Sequence, residues 1–503
     1  MKTHLLFGLL TVLLLSIVIS SRQREAFTFE DVVMMAERMA RENYLSAVPT
    51  LPKELRTLSY DQLREIRWKN ERTLWRREGL PFQVRFYHLG ANHNRPVQIF
   101  ALPDNATEPM RYSQDFFTFG RNHFTERFPE TLSYAGFRVH YPLNKPDVLD
   151  ELVSFLGSSY FRALPKDAHW GISARGLAID TGIDKRPEEF PTFTKFWLKR
   201  PDRFANHMTV YALLESRSVT GAYQIDIHPG AETRMPVKAV LFFRKKTENV
   251  GYAPLTSMFW FGENTSNTFG DLRPEVHDSD GLLIERSTGE WIWHPLAWAK
   301  QTQYNVFTDD QPKGFGLFQR DRDFNHYQDL EALYNKRPSL WVQPVRGFDK
   351  GAVKLIQLAT NNEYMDNVVA FWTPSEAPPV RQPVRLEYVL RWINEADDLP
   401  PVGRCVSTRV DYQDKEYFRQ VFLEFAAPPQ APWKPDEVPA VDCSSSTGAA
   451  ISDVRVEWND FNKTWRVSFL TSTPENNKPH ELLCRLVRDG RPLTETWTYT
   501  WVP

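Results

Sequence analysis

The sequence predicts an all-β protein dominated by a large antiparallel β-sandwich, and three observations predict it. Aromatic residues make up 14% of the 503 residues, and 36 Pro outnumber 23 Gly. This composition favours strands joined by many turns over a helical bundle. From about residue 82, apolar residues recur at every second position, as they do along a half-buried strand. Strands and helices do not alternate along the chain, which argues against a doubly wound parallel sheet.

The N-terminus has the features of an export signal. Lys2 precedes an apolar run over residues 5–19, and the small residues Ser20 and Ser21 follow the run. Because this order is typical of a secretory signal, residues 1–21 are predicted to be a Sec-type signal peptide. An uncleaved anchor is the alternative, although the run is short for a span of about 20 residues. In both cases the bulk of the chain is exported, and we expect a periplasmic location.

Two helices are predicted between the signal and the first strand. Thr28 and Asp31 resemble a capping start before apolar positions that share one helical face. Ser59 and Gln62 form a second capping box. Both signatures mark the N-terminus of a helix, because the capping side chains satisfy backbone amides that have no partner within the helix.

The sandwich itself is predicted over residues 22–396. Its strands are indicated by alternating or β-branched apolar segments at 82–87, 97–102, 137–142, 208–214, 223–227, 237–243 and 385–392.

A smaller second domain is predicted over residues 403–503. A polar, Pro-containing stretch at 397–402 is the predicted linker, and a Pro-rich stretch at 374–383 is the alternative boundary. Alternating apolar residues at 454–458 and 465–469 flank a polar turn, which is typical of a hairpin. About 100 residues of short strands suit an immunoglobulin-like sandwich.

The three cysteines lie in the last hundred residues, at Cys405, Cys443 and Cys484. In an oxidising compartment one pair can form a disulfide and leave the third thiol free, but the sequence does not say which pair. Three small buried hydrophobic residues are the alternative. No Cys-x-x-Cys pair is present, so neither a zinc site nor a redox motif is predicted.

The charge and the motifs exclude several classes of function. A formal net charge of −2 gives no general attraction for nucleic acid. The sequence contains no P-loop, no dinucleotide-binding Gly-rich turn, no His-Glu-x-x-His and no Gly-x-Ser-x-Gly. We therefore predict no cofactor, no metal and no nucleic-acid partner.

Several unusual strings occur in a fixed order and carry a resemblance. They are GISARGLAID at 171–180, EEFP at 188–191, APLTSMF at 253–259, HDSDGL at 277–282, GEWIW at 289–293, PKGFG at 312–316, DRDF at 321–324 and ETWTY at 495–499. In these strings the chain resembles the glucans biosynthesis protein G/D family from about residue 27 to its C-terminus. HYQD at 326–329 and YNKRPSLW at 334–341 are more similar to the D branch, whereas the Sec-type signal is more similar to the G branch.

The resemblance implies a fold, a location and an activity. The implied fold is a galactose mutarotase-like β-sandwich followed by an immunoglobulin-like domain. The implied role is synthesis of osmoregulated periplasmic glucans with a β-1,2-linked backbone. Members similar to the D branch are inverting endo-glucanases. In the segment TNNEYMDN the implied general acid is Asp366, and the implied general base is Asp278, which acts through a relay of hydroxyls.

The chemistry of the two aspartates is consistent with this assignment. Glycoside hydrolysis needs one carboxyl group that protonates the leaving oxygen and another that activates water, normally roughly 6.5–9.5 Å away in inverting enzymes. Asp366 must stay protonated near neutral pH, which requires a raised pKa, and the apolar run at 368–371 predicts partial burial. Without the resemblance, turns are the more ordinary interpretation of Asp-Ser-Asp-Gly and Asp-Asn.

Aromatic residues are the predicted sugar contacts. Their faces match the C–H faces of glucose, and core packing is the alternative for each of them. The predicted substrate-binding residues are Tyr334, Trp341, Arg337, Trp291 and Tyr327.

Three functions remain open from the sequence. The first is an inverting endo-β-1,2-glucanase, and the second is a transglycosylase acting on the same polymer. The third is a non-catalytic protein that binds the glucan beside an inner-membrane glucosyltransferase.

Overall fold

The structure of the protein is a computed structural model that describes residues 26–45, 51–265, 269–394, 398–411, 418–473 and 478–502. The predicted signal peptide, 1–21, lies outside these ranges. Within them, no helix has the length and apolar character needed to cross a bilayer.

Helices are few and short. They are α1 (Phe29–Arg41), α2 (Lys53–Arg56), α3 (Tyr60–Arg64) and α4 (Phe324–Tyr327), with 3₁₀ turns at Asn70–Arg72, Gln114–Phe116, Glu130–Leu132 and Tyr334–Lys336. Both predicted capping signatures are confirmed. The backbone amide of Thr28 donates to Asp31 Oδ2 at 2.7 Å, and the backbone amides of Ser59 and Gln62 each donate to the other residue's side chain.

The strands of the first half of the chain are β1 (Arg67–Trp68), β2 (Gln83–Tyr87), β3 (Gln98–Leu102), β4 (Phe117–Thr118), β5 (Gly136–Tyr141), β6 (Asp150–Leu156), β7 (Tyr160–Ala163), β8 (Ser173–Arg175), β9 (Leu177–Ile179), β10 (Thr192–Lys199), β11 (Met208–Glu215), β12 (Val219–Ile227), β13 (Thr233–Phe243), β14 (Val250–Ser257) and β15 (Phe259–Phe261).

The strands of the second half are β16 (Val276–His277), β17 (Gly281–Glu285), β18 (Trp291–Pro295), β19 (Gln303–Asp310), β20 (Gly314–Phe318), β21 (Ser339–Arg346), β22 (Lys350–Gln357), β23 (Val368–Pro374), β24 (Pro383–Ile393), β25 (Arg404–Asp411), β26 (Phe418–Ala426), β27 (Ala440–Ser445), β28 (Ala450–Asn459), β29 (Thr464–Ser472), β30 (His480–Arg488), β31 (Arg491–Pro492) and β32 (Thr496–Trp501).

The predicted all-β sandwich is confirmed. Each predicted strand coincides with an observed one, although β12 and β13 begin at Val219 and Thr233 rather than near 223 and 237. One sheet has the order β27-β30-β32-β18-β17-β20-β21-β24-β13-β12-β11-β10-β3, and the other has the order β19-β22-β23-β14-β8-β7-β6-β5-β2. Among the strand pairs of the described residues, only β3–β10 and β18–β32 are parallel.

The main hydrophobic core lies between these two sheets. The ring of Phe137 on β5 lies 5.0 Å from that of Phe196 on β10, and Phe161 on β7 lies 6.1 Å from Trp392 on β24. Since neighbouring side chains along a strand point to opposite faces, the alternation in the sequence places these rings inward. Helix α1 covers the outer face of the large sheet, where Thr220 Oγ1 donates to the carbonyl of Ala36 at 2.7 Å.

The C-terminal strands form a second, smaller pair of layers. Strands β25, β26, β29 and β28 make one sheet, and Phe469 on β29 packs 6.2 Å from Trp497 on β32. Strand β32 pairs with β18 through Ile292↔Thr496 and Trp293↔Trp497, so the large sheet continues into this unit. The division at 397–402 stays a prediction, and residue 397 lies outside the described residues.

The cysteine pairing left open by the sequence is Cys443 with Cys484. These residues are cross-strand neighbours on β27 and β30, and they form a disulfide. Cys405 is a buried free thiol.

We expect reduction of this disulfide to destabilise the C-terminal unit. The two cysteines are 41 residues apart in the sequence. A disulfide across a loop of this length stabilises the folded state by about 2–4 kcal/mol, because it restricts the conformations of the unfolded chain. Calorimetry of the wild type with and without reductant measures the loss, and Cys443→Ser should melt like the reduced wild type. Cys405→Ala is the control, since it should keep its response to reductant. A reductant-insensitive wild type would contradict this pairing.

Candidate active site

Asp278 directly follows β16, in the short segment that leads to β17. Its backbone amide donates to the carbonyl of Met258 at 2.8 Å, and the residue is only 5% exposed. The guanidinium of Arg337 donates to Asp278 Oδ1 and lies 4.3 Å from the ring centre of Tyr334. A buried carboxylate therefore has a cation directly against it, as such groups require.

Asp366 lies in the loop between β22 and β23 and is exposed to solvent. The next residue, Asn367, is buried and fixes this loop. Its Oδ1 accepts from the backbone amide of Phe259 at 2.9 Å, and its Nδ2 donates to the carbonyls of Phe259 and Leu358 at 2.9 and 3.1 Å. The side chain of Asn367 thus binds strand β15 much as a neighbouring backbone would.

Phe259 connects the two aspartates. On one side its backbone holds Asn367, which follows Asp366, and on the other side it pairs in register with His277, which precedes Asp278. Two carboxyl groups separated by 88 residues in the sequence (366 − 278) are therefore carried by segments that meet at one residue. The segments that carry Asp278 and Asp366 therefore lie next to each other, and the catalytic roles of the two residues stay a prediction.

The electrostatic surroundings of the two carboxyls differ. Burial raises the pKa of Asp366 to about 6, and the charge of Asp278 adds to the increase. Asp366 keeps an exposed surface, but the surrounding protein replaces much of the bulk water that would stabilise its charge. Burial also raises the pKa of Asp278, whereas the adjacent guanidinium of Arg337 opposes this increase and favours the ionised form.

His277 adds a second charge next to Asp278. It hydrogen bonds to Glu275 at 2.8 Å and to Gln319 at 3.0 Å. Burial lowers its pKa, but the charges of Asp280 and Glu275 outweigh burial and raise the pKa to about 9. A protonated His277 stabilises the charged form of Asp278.

A charged network supports the loop that carries Asp366. Arg273 donates to Glu363 at 2.9 Å and to Asp329 at 2.8 Å, and it also binds Asp271. Glu363 in turn accepts a hydrogen bond from the hydroxyl of Tyr334. Arg273 therefore connects the segment before β16, the segment after α4 and the Asp366 loop.

The predicted substrate-binding residues fall into two groups. Tyr334 and Arg337 lie beside Asp278, and Tyr327 lies behind it, fully buried, with its hydroxyl accepting from Gln319 at 2.9 Å. Trp291 and Trp341 stack on each other at 5.9 Å within the core between the sandwich and the C-terminal unit. All four aromatic residues, Tyr327, Tyr334, Trp291 and Trp341, are at most 7% exposed, so they offer no face to a sugar, and the alternative of core packing describes them.

Sequence reasoning missed Arg273 and Glu363 as parts of the site. Neither stands in a recognisable motif, and their contacts join segments 56 and 90 residues apart.

Sequence reasoning also missed a cluster formed by Glu275, Asp321 and His326. Their potential ligand atoms lie within 4.8 Å of one another, on the wall of a cavity of about 540 Å³ between the sandwich and the C-terminal unit. In the structure these groups are already hydrogen bonded, Glu275 to His277 and Asp321 to His326.

Comparison with known proteins now identifies the family. A family model described as periplasmic glucan biosynthesis protein, MdoG, matches residues 27–501. The chain belongs to this family. Glucans biosynthesis protein G of Ralstonia nicotianae is 41% identical over 96% of this chain and 98% of its own length. The probable glucans biosynthesis protein D of Shewanella oneidensis is 40% identical over 96% of this chain and 90% of its own length.

A further relative of similar identity is glucans biosynthesis protein G of Vibrio cholerae, 41% identical over 95% of this chain and 87% of its own. The predicted membership of the glucans biosynthesis G/D family is confirmed, and similar identity to G and D proteins leaves the branch open. The solved structure of the Slr1438 protein from Synechocystis sp. PCC 6803 has a TM-score of 0.19 at 11% identity, covers 70% of this chain and 99% of that chain, and says nothing about the fold.

We expect Asn367→Ala to destabilise the protein by about 2–4 kcal/mol. The substitution leaves the backbone groups of Phe259 without partners in a buried position, and each unsatisfied group costs about 1–3 kcal/mol. Denaturant unfolding monitored by Trp fluorescence measures the change. Asn361→Ala, at an exposed position of the same loop, is the matched control and should change stability by less than about 0.5 kcal/mol. Equal stability of the two variants would contradict the role assigned to the Asn367 side chain.

Proposed function

We propose that this member of the periplasmic glucan biosynthesis family is an inverting endo-β-1,2-glucanase with Asp366 as general acid and Asp278 as general base. One observation carries the proposal: the two carboxyls are held by segments that meet at Phe259, and within the described residues only Asp278 of the two has a guanidinium, that of Arg337, directly against it. An acid and a base on the same reaction need carboxyls in different surroundings, and a cation against one of them favours its ionised form.

The proposed acid is suited to protonating a leaving oxygen. Its pKa of about 6 lies some two units above that of an ordinary aspartate, so a large fraction of Asp366 carries a proton in mildly acidic solution. Its exposed side is accessible to a polymer lying across the protein. Partial desolvation also strengthens its interaction with charge that develops in the transition state.

The proposed base acts from a buried position. Asp278 is 5% exposed and is covered by Arg337, so direct contact with the attacking water is restricted. A chain of hydroxyl groups, from the substrate or the protein, would pass the proton from water to Asp278. Burial raises the pKa of Asp278, and the charges of Arg337 and the protonated His277 oppose that increase and favour the ionised form that accepts the proton.

The substrate class follows from the family and the site together. The relatives are named for glucan biosynthesis, and a neutral polymer needs hydroxyl-binding groups rather than a charged surface. Arg337, beside the base and with part of its side chain exposed, is the proposed sugar contact that remains from the sequence prediction. A periplasmic location with Sec-type export and a membrane glucosyltransferase as partner complete the proposal.

We expect Asp366→Asn and Asp278→Asn each to lower the rate of glucan cleavage by about 10²–10⁴-fold, since each removes one proton-transfer group. Release of reducing sugars from linear β-1,2-glucan is the assay. Asp460→Asn, at an exposed hairpin position, is the matched control and should retain wild-type activity. Thermal melting of all variants separates loss of chemistry from loss of fold.

Retained activity in both active-site variants would overturn the assignment. If calorimetry shows that the wild type binds β-1,2-glucan and the assay shows no cleavage, a non-catalytic glucan-binding role is favoured instead. Products lighter by one water in mass spectrometry would identify a transglycosylase that cyclises the chain.

We expect the pH profile of kcat/KM to be bell-shaped. The acid must be protonated, so activity falls as pH rises through the Asp366 pKa of about 6, by about tenfold per pH unit beyond it. The base must be ionised, so activity also falls as pH drops through the pKa of Asp278, which burial raises above its ordinary value. Initial rates between pH 3 and 9 measure both limbs.

Arg337→Gln tests the acidic limb. Removing the guanidinium withdraws the charge that favours the Asp278 carboxylate, so the pKa of Asp278 should rise and the acidic limb should move to higher pH. Lys145→Gln, at an exposed loop position, is the control and should leave the profile unchanged. An unmoved acidic limb in Arg337→Gln would show that another group sets it.

A further inference from the structure

Three highly exposed, largely apolar side chains gather beside the candidate active site. Among the described residues, the six most exposed large hydrophobic residues, with exposed fractions of 81–98%, are Leu45, Phe204, Leu272, Leu330, Tyr364 and Phe461. We call Leu272, Leu330 and Tyr364 the apolar rim, because each of them directly precedes or follows a member of the Arg273 ion-pair network. Single exposed apolar residues are ordinary on a protein surface, whereas several in one place mark a binding surface.

The apolar rim is held together by one guanidinium. That of Arg273 binds Asp329 at 2.8 Å and Glu363 at 2.9 Å. Each rim residue is the sequence neighbour of one of these three charged residues. Since neighbouring Cα atoms of a chain are about 3.8 Å apart, the ion pairs that join the charged residues also bring the backbones of the rim residues together.

The same contacts place the rim beside the proposed acid and the proposed base. Tyr364 and Asp366 are two residues apart in one loop, and both are exposed. Glu363, which precedes Tyr364, accepts a hydrogen bond from the hydroxyl of Tyr334. The ring of Tyr334 lies 4.3 Å from the guanidinium of Arg337, which binds the proposed base. Direct contacts therefore connect the rim with both carboxyls.

The loop that carries Tyr364 is fixed at both ends and within. At its start, Trp298 Nε1 donates to the carbonyl of Thr360 at 3.1 Å, and at its end the buried side chain of Asn367 binds strand β15. Inside the loop, Thr360 Oγ1 donates to the carbonyl of Asn362 at 2.9 Å, and the amide of Tyr364 donates to Asn362 Oδ1 at 3.0 Å. The backbone of Tyr364 is thus ordered before a ligand binds, and this lowers the entropic cost of binding.

Tyr364 meets the requirement that the aromatic residues predicted from the sequence do not meet. Those four side chains are at most 7% exposed, whereas Tyr364 is 90% exposed. A tyrosine ring offers an apolar face, which suits the C–H face of a pyranose, and a hydroxyl that can bind water or a sugar hydroxyl. The two leucines add apolar surface without charge, which suits a neutral polymer.

We propose that the apolar rim is a sugar-binding subsite in which the ring of Tyr364 stacks on the glucose residue next to the linkage that Asp366 protonates. The inference rests on the proposed function and extends it, because it assigns substrate binding to residues outside the carboxyl pair and the ion pairs that support it. Leu272 and Leu330 border the stacked sugar and shield its apolar face from water.

Tyr364→Ala tests the subsite. Losing the ring should raise KM for linear β-1,2-glucan by about tenfold with kcat within about twofold of the wild type, because the contact is equal in ground and transition states. Tyr364→Phe keeps the ring and should keep a KM close to that of the wild type. Phe461→Ala, at a 98% exposed hairpin position of the C-terminal unit, is the matched control and should leave both constants unchanged.

The outcomes separate this inference from the proposed function. If the wild type cleaves the glucan and Tyr364→Ala has an unchanged KM, the subsite is wrong and the glucanase stands. An equal rise of KM in Tyr364→Phe would overturn the stacking role. If the wild type does not cleave, calorimetric binding of a β-1,2-gluco-oligosaccharide decides: weaker binding by Tyr364→Ala than by Phe461→Ala supports the subsite, and equal or absent binding overturns it.

A contact between two copies of the protein is the competing use of an apolar surface. Light scattering of the wild type and of Leu272→Ser/Leu330→Ser measures it. A lower molar mass in the double variant together with an unchanged KM would assign the rim to self-association and overturn the subsite. An unchanged molar mass together with a raised KM is the expected result. Thermal melting of each variant confirms that its fold is retained.

Discussion

The arrangement of the candidate active site depends on the hydrogen bonds that the start of β15 makes to both of its neighbours. The backbone amide and carbonyl of Phe259 both bind the side chain of Asn367, which takes the place of a strand, while the carbonyl of Met258 accepts from the backbone amide of Asp278 on the other side. An amide side chain can do this because it has one acceptor and one donor group in the same spacing as a peptide unit. Any shift of β15 would therefore move the residues next to both aspartates together.

Around this connection, ion pairs rather than large packed side chains fix the positions of the loops. Arg273 binds three carboxylates from three segments, and Arg337 binds Asp278 while its carbon atoms pack against Gly171. Gly171 is suited to its position because a Cβ there would lie 3.0 Å from the Arg337 side chain. The sandwich supplies a rigid frame, and these few ion pairs set the positions of the loops at its edge.

Much of the fold was accessible from the sequence, because alternation and turn residues report on strands directly. The capping signatures at Thr28 and Ser59 were sufficient to locate two helices. The family strings led to Asp278, Asp366, Tyr334 and Arg337, which the structure brings together. Trp291 and Trp341 were predicted to stack on sugar rings, but they pack against each other in the core. The alternation of apolar residues along a strand does not show whether an aromatic side chain faces solvent or a second layer of the protein. Arg273 and Glu363 act across long sequence separations, which no local pattern reports.

The parallel pairing of β18 with β32 has a consequence for how the chain is assembled. Trp293 and Trp497 lie opposite each other in this ladder, so β32 extends the sandwich sheet beyond β18, and β30 and β27 follow it in the same sheet. A protein shortened after residue 402 would leave the backbone of β18 with open hydrogen-bonding groups and the indoles of Trp291 and Trp341 without their cover. The hydrogen bonding of β18 therefore depends on a strand of the C-terminal unit, so loss of that unit would also disturb the sandwich sheet.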